Sequence, residues 1–76
     1  MVHMKNIVRD GNLVTFDGYI NGKEEDKFTM TVDLNDSSKS VISIEKNHYT
    51  SMALIKIMSF FAEKGFLPDE LVAMTH

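Results

Sequence analysis

Few side chains in this sequence can do chemistry, and their spacing narrows the choice further. There is no cysteine, so the chain has no thiolate nucleophile, no disulfide framework and no thiolate metal cage. No Gly-x-Ser-x-Gly elbow occurs, and no serine stands beside a histidine in the local sequence. Of the three histidines, His3 falls within three residues that read as an expression leader and His76 is the last residue, which leaves His48. Next to Tyr49 at a strand-to-helix junction, its imidazole could act as a general base or as a single metal ligand, with Asp33 and Asp36 beside it. Its ordinary use there is as a polar residue at a helix start. Asp33-Leu34-Asn35-Asp36-Ser37 has oxygen side chains two apart, like the opening of a calcium loop. That pattern then fails, because Ser38 stands where such a loop needs glycine and Ile44 where it needs a bidentate glutamate. The chain is therefore read as non-catalytic, with no catalytic residue, metal ligand or cofactor assigned. A cation-binding protein or enzyme using His48, Asp33 and Asp36 is the alternative.

Carboxylates are distributed unevenly. The net charge is −3, with residues 1–16 at +1, residues 17–36 at −4 and the remainder balanced. The excess is carried by Asp17, Glu24, Glu25, Asp26, Asp33 and Asp36, against Lys23 and Lys27. Strand alternation puts Asp17 and Asp33 on a wet face and the Glu24–Asp26 run in a loop, so these six are expected to form one acidic rim. Such a rim suits a basic protein partner, or a nucleic-acid-binding enzyme that it occupies by imitating phosphates, since complementary charge speeds association. The bland use of the same charges is to keep a sheet face solvated and its edges blunt.

Binding of nucleic acid itself is disfavoured. The element order resembles that of the DNA-reading domains of plant ethylene-response factors and of the arm-binding domains of phage integrases, in order alone. Those sheets approach the groove with arginine and lysine, whereas eight basic residues here face eleven acidic ones. Tyr19 could stack on a base, but no run of aromatics accompanies it and no RNP-like signature occurs.

The elements that position these groups follow from periodicity. Met4–Arg9 reads as a strand, Asp10-Gly11 as a tight turn, and Leu13–Ile20 as a second strand with Gly18 marking a bulge or a close approach. Lys27–Leu34 alternates without exception. A two-residue Asn21-Gly22 turn would place its apolar row on the wrong side of the sheet. A connection longer by an odd number of residues, or a bulge near Gly22, is expected instead. Ser40–Glu45 follows as a last strand with Ile42 and Ile44 inward, and Met4–Arg9 is the weaker of the four. Asn47 or Thr50 caps a helix through Ser51–Lys64 that stops at Gly65, with Leu54, Ile57, Met58 and Phe61 toward the sheet, flanked by Ile55 and Ala62. Pro68 opens a short second helix ending near Met74, with Asp69 and Glu70 in its first turn.

The expected fold is α+β: a three- to four-stranded antiparallel meander, one long helix on one face and a short C-terminal helix. Met1-Val2-His3 is set aside and residues 4–76 form one domain. Phe60 falls outside the helix's core stripe, and Met52 lies in its polar stripe. With Met74 they make a candidate apolar patch for a partner or a second copy, unless Leu67, Leu71 and Val72 fold back over Phe60. A lone core in a chain under about 70–80 residues rarely supplies more than about 3–5 kcal/mol, so a homodimer or bound partner is an expected source of stability. No apolar run reaches the roughly 18 residues of a membrane span. The reading is a cytoplasmic, acidic interaction module, regulatory or inhibitory, of the kind found as bacterial or phage accessory proteins. It binds another protein through the acidic hairpin or the apolar helix surface.

Overall fold

The computed structural model describes residues 1–74, so Thr75 and His76, the end of the expected domain, lie outside the described residues. Strands β1 (Val2–Asp10), β2 (Leu13–Ile20), β3 (Lys27–Asp33) and β4 (Val41–Ile42) form an antiparallel meander, α1 (His48–Lys64) crosses one face, and β5 (Leu71–Ala73) returns to the sheet. The strand order is β4-β3-β2-β1-β5. The α+β architecture is as expected, but the sheet has five strands, and the expected C-terminal helix is strand β5. A helix from Pro68 to Met74 would spend its nucleation cost on two turns. As a strand the same segment pairs Leu71 with Met4, Val72 with His3 and Ala73 with Val2, covering an edge of β1.

β1 begins at Val2 rather than Met4. Val2 is fully buried between Ile20 and Ala73, and the N-terminal ammonium donates to Asn21 Oδ1 at 3.0 Å. Further along β1 the register with β2 shifts between Lys5 and Val8, where Asn6 adopts φ 55°. This bulge moves the inward parity from Val2 and Met4 to Ile7 and Arg9. Ile7 is thereby buried, and its N–H donates to the Asp69 carbonyl at 3.0 Å. The Arg9 guanidinium lies 4.6 Å from the centre of the Phe61 ring and covers that end of the core.

The β1–β2 turn is Gly11-Asn12, one residue later than expected, since Asp10 pairs with Leu13 and Gly11 supplies the positive φ of 62°. Between β2 and β3, Phe16 pairs with Met30 and Gly18 with Phe28, a register three residues away from that of a two-residue Asn-Gly turn. The odd offset keeps Phe28, Met30 and Val32 on the dry face. The extra length is taken up by a 3₁₀ turn at Glu24–Asp26. Gly18 is a close approach: a Cβ there would clash with the outer end of the Phe28 ring. β4 is shorter than expected, holding Ile42 opposite Met30 and leaving Ile44 exposed.

α1 starts at His48 behind a reciprocal cap: Thr50 N–H donates to Asn47 Oδ1 at 3.0 Å and Asn47 N–H to Thr50 Oγ1 at 2.9 Å. It ends where Gly65, at φ 78°, donates its N–H to the Phe61 carbonyl. The face turned to the sheet is Thr50, Ala53 and Ile57, with Leu54 and Met58 half-buried beside them. That stripe is rotated by roughly 50° from the one centred on Leu54, Ile57, Met58 and Phe61, leaving Ile55 and Ala62 exposed. Ala53 is small, and the Thr50 hydroxyl is already satisfied by the cap, so this side can sit closest to the strands. No described helix is long and apolar enough to cross a membrane.

Candidate interaction surface

The six carboxylates expected to form one rim occupy three places. Asp17 sits on the open sheet face, accepting from Asn6 Nδ2 at 2.9 Å and from the Thr29 hydroxyl at 3.3 Å, with Lys27 Nζ at 4.0 Å. Asp33 accepts from the Asn35 N–H at 2.9 Å, and Asp36 from the Ser38 N–H at 3.1 Å and hydroxyl at 2.6 Å. Those two carboxylates shape the turn after β3. Glu24, Glu25 and Asp26 are exposed on the 3₁₀ turn before β3, in no ion pair among the described residues. The length of β3 separates this turn from Asp33 by about 20 Å.

His48 is the first residue of α1 and is exposed, its ring edge-on to Tyr49 at 5.6 Å. Asp33 and Asp36 are engaged in their own turn, and among the described residues no three His, Asp or Glu side chains gather where they could hold a metal. Tyr19 is nine-tenths buried, with Lys5 Nζ 5.4 Å and Lys27 Nζ 5.9 Å from its ring centre, so its face is occupied by ammonium groups. Beside the start of α1 a cleft of ≈ 260 Å³ is lined by Ser37, Ser38, Ser40, Ile44, Lys46 and Ser51 among others. The sequence carried no signal for it, since three separate segments build it.

The apolar candidates divide. Phe60 is half-buried and meets the Phe66 ring edge-on at 5.7 Å, so the residue after the Gly65 cap covers it, while Leu67 and Leu71 pack on the core. Met52 and Met74 come together. They line a groove of ≈ 380 Å³ between α1 and β5 with Ile55, Lys56, Ser59, Val72 and Ala73. Ile55 is 66%, Val72 39% and Met74 61% exposed. Ile55, expected to flank the core, is turned to the groove by the rotation of α1, whereas Val72, one of three residues that could have folded over Phe60, pairs with His3 and borders the groove from the strand edge.

The groove runs along an open edge. The Met1 carbonyl accepts from Asn21 N–H at 2.7 Å, on the β2 side. By antiparallel alternation the main-chain groups of Val2 and Met4 then face β5, bonding Ala73 and Leu71, and those of Val72 face away from the sheet. The bond from Ile7 N–H to Asp69 lies on the same edge of β1. An apolar groove and a strand edge with no partner among the described residues thus adjoin each other. No known family, characterised protein or solved structure matches the chain.

Proposed function

We propose that this protein is a small acidic interaction module of the cytoplasm, regulatory or inhibitory, which acts by contact and takes up another polypeptide along the α1–β5 groove. The observation that carries this reading is the convergence of Met52, Ile55 and Met74 beside the outward main chain of Val72. An extended segment can add to such an edge by main-chain hydrogen bonds while its side chains enter the apolar groove. The exposed Glu24–Asp26 turn, which joins β2 to β3 and is set apart from β5 by β1, supports a second role: a charged tip that favours basic targets.

Selection from a displayed random-peptide library tests the groove, run in parallel on the wild-type chain and Ile55→Glu together with a measurement of association state. Loss in the variant of enriched apolar peptides, or of self-association, supports the reading. An Ile55→Glu protein that matches wild type in both overturns it.

A further inference from the structure

Resting on that reading of the groove, we infer that the polypeptide it takes up is a second copy of this chain, joined β5 to β5 in antiparallel register about a two-fold axis at Val72. Val72 is the β5 residue whose N–H and C=O both point outward, so an axis there lets the two Val72 residues exchange both hydrogen bonds. Leu71 of each copy then lies opposite Ala73 of the other. No charge or proline interrupts residues 71–74, the devices that usually blunt an edge; these residues lie after Pro68, Asp69 and Glu70.

The helix identifies the occupant as another copy rather than a lone strand. An added strand sits one interstrand spacing, about 4.8 Å, beyond β5, satisfies its edge and sets side chains into the groove, but carries no helix of its own to pack against the flank of α1. Ile55 on that flank is 66% exposed. A two-fold axis perpendicular to the sheet keeps both helices on the same face. Because α1 packs over β5 and β1, it sets the flanks bearing Met52, Ile55 and Ser59 side by side across the axis. Sheet edge and helix flank are closed by one symmetric contact, which also enlarges the core of a chain with no disulfide.

Sedimentation equilibrium and backbone amide exchange on the full chain test this. The expected result is a dimer in which exchange at the Val72 N–H slows as concentration rises. Val72→Pro removes an N–H that β1 does not use, and Ile55→Glu places charge on the helix flank. Each is expected to weaken association by about tenfold or more, with the helical circular dichroism retained. If Val72→Pro unfolds, Ile55→Glu decides, since its side chain is exposed. A monomer at every concentration, or a dimer indifferent to Ile55→Glu, overturns the assignment. A monomer that still enriches peptides in an Ile55-dependent way overturns the second copy alone and leaves the groove reading standing.

Discussion

Single residues decide how tightly this sheet closes. Gly18 and Phe28 face each other across β2 and β3, and the Phe28 ring fills the space a Cβ would need. The dry face of β2 therefore reads Val14, Phe16, Gly18, with the glycine standing in for an apolar side chain. We expect Gly18→Ala to destabilise by about 1–3 kcal/mol in urea unfolding, and Phe28→Leu in the same chain to recover part of that loss. Strict additivity of the two substitutions would show that the ring is not the obstacle. The glycine was visible in the sequence as a break in the apolar row, but whether it marked a bulge or a close approach depended on which side chain the register brought opposite. The bulge itself is four residues into the chain's other long strand, at Asn6. Its trace in the sequence was the change of spacing from Val2 and Met4 to Ile7.

Elements with strong local signals formed where the sequence put them, and those with weak signals were decided by neighbours. α1 carries both of its stops in its own residues, the Asn47–Thr50 cap and the left-handed Gly65. Asn47→Ala removes the acceptor for Thr50 N–H and should cost about 1 kcal/mol, with the loss of ellipticity confined to the first turn. An unchanged melting temperature would show that the cap contributes nothing. β3 likewise follows from its uninterrupted alternation. β4 and β5, two and three residues long, have no such autonomy. Ser40–Glu45 keeps only the pair that meets Met30 and Thr31, and Leu71–Ala73 is a strand because β1 offers it an edge. The angle at which α1 lies on the sheet was equally illegible: the periodicity of apolar residues ranks Phe61 and Met58 above Thr50 and Ala53, whereas close packing favours the small side.

At the scale of the whole molecule the first and last described strands meet. Val2 pairs with Ile20 on one side and Ala73 on the other, so it belongs to an interior strand of the sheet. A chain beginning at Met4 loses the buried Val2 side chain, worth about 1.5–3 kcal/mol, together with the pairing that holds Ala73. We expect its urea midpoint to fall and amide protection at Leu71–Ala73 to vanish. Equal stability of the two chains would remove Val2 from the core. The same closure builds the groove, since α1 and β5 become its walls only once β5 is docked on β1.

From the sequence alone came the α+β class, the order of the first four strands and the helix, and the polarity of each face of β3. These rest on periodicity and caps, interactions between residues near one another in the chain. Only tertiary structure decided that the acidic residues disperse over three places and that Met52, Ile55, Val72 and Met74 share one groove. Each of those depends on a register, a rotation or an edge pairing between segments distant in sequence, and such contacts are selected by the fit of the assembled core.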